Sequence, residues 1–530
     1  MSLPQNVTLA ASLPFPAAAL VTLILATFYF WYYKGSSTYL AAFVSIGIVV
    51  VSSLLVILIP IDVYLLSSTK EDSGLRKSWA TNETIHHVET TVFYGYNGLY
   101  AAMLMFMFLL VPFTYFSHPP QDAKHPKKIN VARGFQFSSV SFVFLCLLLI
   151  AGGVVQNGDT PSHNSTIYSQ INYVSMEGCF PTAMEHGMYF VVNCLGIIGA
   201  ICCIVYTAYG MAILPINLIK GKPIDKVQRQ HMDLSIEEIT EKLKQLTDLK
   251  AHERPLSEPE RRQVEQYSQQ LLKFQMESDS MRHRSYALIG QCDGPFRCIQ
   301  AFFGVILYLL SLLIVIVIVI SNSNRLLSST GMYSGYILDQ ATITNPVDIL
   351  LQLCHEAYPL DYILLGGILC YIIISTLSGM QHMGMWLFWL KLHHLRPRRS
   401  TSRALVFSAF VLAVVTIYSG VLAYSLAPQY VTYGTQKYLV HDHVTERDDS
   451  ELCSTNASTD KCIMTVTMQQ QTKMFYRIWV FGVAYYWCSW LFVLAFITGT
   501  VIAVCRMRKT VAQLLMRDYM ELTGSEERLV

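Results

Sequence analysis

The sequence predicts an all-α, polytopic integral membrane protein with about nine transmembrane helices and a cytosolic helical hairpin. Three observations predict it. The composition is 53% hydrophobic and only 14% charged, with a mean hydropathy of +0.38, which marks a bilayer-embedded chain rather than a string of soluble domains. Apolar stretches long enough to cross a hydrocarbon core of about 30 Å, which takes about 20 helical residues, recur along the whole chain. Basic residues crowd into alternate connecting segments, as expected when the chain threads a membrane repeatedly. A net charge of +2 leaves no excess to attract nucleic acid, so lipid is the expected environment and no nucleic-acid partner is.

The apolar stretches centre on residues 13–33, 39–60, 91–116, 137–156, 187–214, 299–321, 360–390, 404–426 and 476–505. The first has no basic residue before Lys34 and exceeds the short core of a cleaved signal peptide, so it reads as a retained helix. With the N-terminus lumenal or outside and the C-terminus cytosolic, 29 of the 38 Lys and Arg residues fall on the cytosolic side. In the short loops, Lys124, Lys127, Lys128 and Arg133, then Lys391, Arg396, Arg398, Arg399 and Arg403, carry this signal. N-x-S/T sequons at Asn6, Asn82, Asn164 and Asn456 all fall in segments that the charge rule places outside, which makes them the candidate glycosylation sites. The organisation that results is a membrane region over 1–218 with five helices, a cytosolic loop over 219–298, a second membrane region over 299–505 with four helices, and a cytosolic tail over 506–530.

In the cytosolic loop, Ile236, Ile239, Leu243 and Leu246 repeat at a/d spacing, and Val264, Tyr267, Leu271 and Phe274 do so again. Ser235 with Glu238 and Ser257 with Glu260 fit capping boxes, and Pro255 and Pro259 separate the two helices, so the pattern predicts an antiparallel hairpin. The tail mixes Val511, Leu515 and Leu522 with charges, a composition suited to the membrane surface.

No GxxxxGK[ST] loop, HExxH or GxSxG motif occurs, and no catalytic residue is assigned. Asp62, Glu89, Glu185, Asp361 and Arg477 stand near predicted helix ends, where interfacial solvation or capping explains them better than an ion pathway. His382 lies deeper in an apolar run, with a hydrogen-bonded packing role favoured over proton transfer. His86, His87, His163, His186, His355, His441 and His443 lie in the outer segments, where an acidic compartment would charge several of them. Neither His86/His87 nor His441/His443 has a third ligand at diagnostic spacing, so solvated histidines are favoured and no metal site is assigned. Cys453 and Cys462 flank a short outer loop and read as a disulfide, while Cys179 and Cys354 could pair or remain free. Tyr519-Met-Glu-Leu522 matches the YxxΦ sorting signal that clathrin adaptors bind in extended form; Tyr286 to Ile289 has the same pattern.

Several longer stretches carry a resemblance: Leu58-Ile-Pro-Ile-Asp62-Val, Tyr94-Gly-Tyr96, Tyr206-Thr-Ala-Tyr-Gly-Met211, Leu214-Pro-Ile-Asn-Leu-Ile-Lys-Gly221, Pro359-Leu-Asp-Tyr-Ile-Leu364, Leu426-Ala-Pro-Gln-Tyr430 and Ala484-Tyr-Tyr486. From first helix to last the chain resembles the family of lipocalin-interacting and limb-region membrane receptors. The Arg254-Pro255-Leu256 break and the Cys453 to Cys462 spacing are similar too, whereas the tail departs from the acidic ending of the family. The resemblance implies a lysosomal membrane protein needed to move cobalamin to the cytosol with an ABC transporter of subfamily D. It also implies a homodimer and no covalently bound cofactor, with cobalamin as the transported ligand. The missing phosphate loop would leave ATP hydrolysis to the partner. The alternatives are a cobalamin carrier in its own right and an endocytic receptor or adaptor at the plasma membrane that uses Tyr519 and Leu522. No DxHxxG motif is present, and no cobalamin-binding residue is assigned.

Overall fold

The fold is described from a computed structural model that covers residues 14–33, 39–71, 73–118, 130–155, 182–220, 295–329, 331–338, 343–387, 390–393, 400–442, 447–453 and 461–526, with isolated positions at Val7, between residues 236 and 241, and at Ser268 and Leu271. Among the described residues nine helices are long and apolar enough to cross a membrane. They are α1 (Pro14–Tyr33), α2 (Tyr39–Ser67), α3 (Asn82–Ser117), α4 (Val131–Val155), α5 (Thr182–Cys202, continued by Ala208–Lys220), α6 (Pro295–Ser328), and, beyond the short α7 (Pro346–Cys354), α8 (Leu360–Met383) and α9 (Ser402–Leu426). After α10 (Pro428–Tyr433) and α11 (Val466–Arg477), the ninth is α12 (Trp479–Glu526). Two antiparallel two-stranded hairpins complete the described elements: β1 (Met385–Leu387) with β2 (Leu390–His393), and β3 (Lys437–Asp442) with β4 (Arg447–Leu452).

Helix ends depart from the hydropathy windows where local chemistry outweighs hydropathy. α3 begins at Asn82 rather than near residue 91, because the Thr81 hydroxyl accepts from the Thr84 amide and caps a polar first turn that hydropathy conceals. α8 stops at Met383, not near residue 390, since Gly384 takes φ +78° and the chain then turns into the β1–β2 hairpin. His382 is therefore exposed in the last turn of α8 rather than deep in an apolar run. The helix of the ninth span continues unbroken from the membrane segment into the tail, so Tyr519 and Leu522 both lie within helical backbone.

The chain divides into two units, Met1–Ile213 with Ser311–Val530, and Leu214–Leu310. In the first, α9 is the central helix: 89% of its spanning window is buried, against 11% for α1 at the periphery. Such all-round burial suits its Ala, Val and Ser content, which lets neighbours approach closely. α5 and α8 cross so tightly that a Cβ on Gly210 would strike the Ser375 carbonyl and one on Gly379 the Tyr206 carbonyl. At this crossing α5 carries a π turn, Cys203–Thr207, and the Thr207 hydroxyl meets that of Thr376 at 2.7 Å. A second π turn, Phe106–Leu110, interrupts α3. In the second unit Gly304 of α6 lies against Ile219 of α5. The hairpin expected over 219–298 lies almost wholly outside the described residues.

Candidate functional site

Three buried carboxylates, Asp62, Asp348 and Asp361, and buried Lys70 gather where α2, α8, α9 and α11 end or begin, beside a disulfide between Cys453 and Cys462. Asp361, in the first turn of α8, has no solvent exposure. Its carboxylate accepts from His355 Nδ1 (2.9 Å), the Tyr430 hydroxyl (2.8 Å) and the Tyr362 amide (3.0 Å). His355 Nε2 stands 3.2 Å from the Thr435 hydroxyl, so the imidazole bridges a buried carboxylate and the turn after α10. A buried carboxyl group needs hydrogen-bond partners, and three groups converge on this one.

Two further carboxylates cap helices far along the chain. Asp62, in the last turns of α2, accepts from the Thr467 amide and hydroxyl, both at 3.0 Å, and from the Val466 amide at 3.4 Å. It thereby supplies an acceptor to the buried amides at the N-terminus of α11, which have no partner within the helix. Asp348 of α7 does the same for α10, accepting from the Tyr430 amide at 2.9 Å and the Gln429 amide at 3.4 Å. Burial pushes the Asp348 carboxyl up to about 7, and those two amide bonds act against the rise. Asn345 caps α7 through the Val347 amide, and its Nδ2 donates to the Leu426 carbonyl at the end of α9.

Lys70, just past α2, donates from Nζ to the Lys437 carbonyl at 3.0 Å and to the Lys461 carbonyl, with Cys453 Sγ at 3.8 Å. It thus ties both sides of the disulfide loop to α2. Burial, with Arg76 nearby, lowers its ammonium to about 8. Gly434, at φ +63°, brings its backbone against the Ser67 hydroxyl, which accepts from the Thr435 amide at 3.2 Å; any Cβ there would collide with that oxygen. In the last turn of α6 Arg325 is buried, with Nη2 3.2 Å from the Ser425 hydroxyl at the end of α9 and its guanidinium 4.8 Å above the Tyr424 ring.

The arrangement works as a lock between distant segments. It fastens the segment from Pro428 to Arg477 onto the ends of α2, α7 and α8. A cavity of about 20 Å³ lies alongside, lined by Tyr100, Tyr189, Asn193, Thr467, Gln471 and Tyr485. That volume admits about one water molecule, so it offers no room for a ligand of corrinoid size. Among the described residues no group of three or more His, Cys, Asp or Glu side chains is placed to hold a metal ion.

Of the residues singled out from the sequence, Asp62, Asp361 and His355 enter the lock, the two carboxylates through distant segments rather than solvent. Glu89 meets the Gln469 side chain on α11. His86 and His87 are exposed on the first turns of α3, whereas His186 is buried on α5. Asn82 is exposed, and its Oδ1 accepts from Arg76 at 2.6 Å. Cys354 is a free thiol. Asn6, Asn164, Asn456, Cys179, His163 and His443 lie outside the described residues, as does Tyr286 to Ile289. Sequence reasoning missed Asp348, Lys70 and Tyr430. Asn345-Pro346 and Ala427-Pro428, each with proline at a first helical position, were the local signals that short helices begin there.

Among the described residues, nine apolar helices, one of them buried at the centre, with Asp62, Asp348 and Asp361 buried at one end, define a multi-pass helical membrane protein. Residues 12–281 match the model of the LMBR1-like membrane protein family. The chain is 31% identical over 503 residues to the lysosomal cobalamin transport escort protein LMBD1 of Bos taurus, covering 92% of this chain and 90% of that one. It is 32% identical to the protein of that name from Danio rerio, over 86% and 85% of the two chains, and 30% identical to that of Homo sapiens, over 89% and 88%. The chain therefore belongs to the LMBR1-like membrane protein family. No solved structure matches it.

Proposed function

We propose that this chain is a lysosomal membrane protein that escorts the machinery of cobalamin export, acting without catalysis of its own. The observation that carries the reading is end-to-end similarity, about 90% of both chains, to relatives named for lysosomal cobalamin transport escort. In this reading the partner is an ABC transporter of subfamily D. It supplies the ATP site for which this sequence has no phosphate loop. The N-terminus and the disulfide end face the lumen and the C-terminus faces the cytosol. The basic bias of the short loops and the exposed sequon at Asn82 support that orientation. A disulfide at Cys453–Cys462 suits an oxidising, degradative compartment. The lock described above keeps the outer loops folded on the bundle, and the cytosolic hairpin over 219–298 is the surface offered to the partner.

ATP-dependent cobalamin movement, measured in proteoliposomes holding this chain, the ABC partner or both, tests the reading. An escort gives no movement alone, and in cells its removal displaces the partner from lysosomes. Movement by this chain alone overturns the escort assignment and makes it a carrier. Partner location that does not change when the chain is removed overturns it as well.

A further inference from the structure

The nine residues of α7 have two unlike faces. Val347, Asp348 and Leu351 are buried against the bundle. Ile349, Leu350 and Leu353 are turned outward, and Leu353 is 64% exposed. Spacings of three and four residues place these three side chains on one stripe. The stripe does not stop with the helix. Tyr358 is 57% exposed in the turn that follows, and Leu360 and Ile363 continue it onto the outer surface of α8, a membrane-spanning helix whose Ile374 faces outward further along. An apolar surface continuous with the lipid-facing side of a spanning helix stands at the same boundary as the lipid. The level is marked by aromatic rings: Tyr64 lies 5.3 Å from Tyr362 and 5.8 Å from Tyr358 between ring centroids, the kind of belt found where hydrocarbon meets water. On the inner face, Asp348 and Asn345 fasten α7 to α10 and α9, so the helix is held rigidly in this position.

We propose that α7 is an interfacial helix, with Ile349, Leu350 and Leu353 seated among the acyl chains of the leaflet at the disulfide end. The occupant of the stripe is lipid. Its short length suits an element lying along the interface, since nine residues make a helix of about 14 Å, less than half of a bilayer core. The consequence is mechanical: a leaflet-embedded helix holds the N-terminus of α10, and with it the lock, at a set depth. This inference does not depend on which leaflet faces the lumen.

The test uses the full-length wild-type protein with a photoreactive phospholipid whose diazirine lies in the acyl chain, followed by peptide mapping. It is run in nanodiscs holding a single copy and in native membranes. The segment 346–354 is expected to be labelled to the same extent as segments holding Ile363 and Ile374, and roughly fivefold above the segment holding Leu75, which is exposed in a loop at the same end. Labelling of 346–354 no greater than that of the Leu75 segment overturns the proposal. So does labelling in single-copy nanodiscs that disappears in native membranes, because a second copy or another protein then covers the stripe. Replacing Ile349→Asn and Leu353→Asn together is expected to lower labelling of this segment several-fold while Ile363 keeps its own. Unchanged labelling in a variant that retains the Ile363 signal would show that the stripe is not what holds the helix in lipid.

Discussion

The middle of the bundle and its disulfide end hold together by opposite means. Where α5 crosses α8 the contact is backbone against backbone, with Gly210 and Gly379 leaving no room for a Cβ. At the disulfide end the contacts are made by buried Asp62, Asp348, Asp361 and Lys70, each with named hydrogen-bond partners. Lipid supplies little hydrophobic drive between helices, so close packing of small residues must do the work in the middle. Near the interface, chain segments enter and leave helices with backbone groups that have no partner in their own helix, and the carboxyl oxygens of Asp62 and Asp348 fill those positions. The difference teaches that the buried carboxyl groups of this protein serve connections between segments, while small residues serve the α5–α8 crossing.

The largest expected effect removes the acceptor on which three donors converge. Asp361→Ala should lower unfolding free energy by about 3–5 kcal/mol, since a buried donor set is left without its charge; thermal unfolding in nanodiscs checks it, and a loss under about 1 kcal/mol would mean that solvent reaches the site. Gly379→Ala probes the other region and should cost about 3 kcal/mol by forcing apart α5 and α8. If it is neutral, the tight crossing is not a determinant of stability and the contrast fails. Cys453→Ser should cost about 2–3 kcal/mol, because the bridge closes only a short loop of nine-residue separation. Measured under reducing conditions, the variant and wild type should converge.

The smallest effect is a pH dependence confined to the polar end. Asp348 is held near 7 when folded and returns to an ordinary carboxylate value of 3.8 when unfolded. The folded state therefore binds a proton more readily between those values, and stability should fall as pH rises through that window, by about 2 kcal/mol from pH 5 to pH 7, and level off above it. Asp348→Asn keeps an oxygen for the Tyr430 amide, gives up the longer bond from Gln429 and does not titrate, so it should flatten that slope. An unaltered slope in the variant would place the dependence elsewhere. In an acidic compartment the neutral carboxyl of Asp348 is the favoured form, so its contribution to stability is larger there than at neutral pH.

The spans were legible because hydropathy is a local property: α2 from Tyr39, α9 from Ser402 to Leu426 and α1 to Tyr33 agree closely with the apolar windows. Less legible were ends set by caps or by Gly384, where one hydrogen bond or one positive φ outweighs several apolar residues. Asp62 and Asp361 were visible as unusual residues near helix ends and His355 as one of several histidines in the outer segments, but their role as anchors for other segments was not. The sequence marked Tyr430 only as part of a family-like stretch, without its bond to Asp361. Lys70 looked like an ordinary loop cation, although its two carbonyl partners lie more than three hundred residues away.

By itself, then, the sequence determined a membrane-embedded helical chain, the order and approximate extent of its nine spans and the family to which it belongs, because the length and polarity of a segment decide whether it enters a bilayer. Only the tertiary structure decided which helix sits at the centre, that α5 and α8 touch through glycine, and that Asp62 receives the amides of Val466 and Thr467. The physical reason is range: hydropathy acts on each segment separately, whereas a hydrogen bond or a steric contact needs two groups within a few ångströms, and no local pattern records which distant residue folding will bring there.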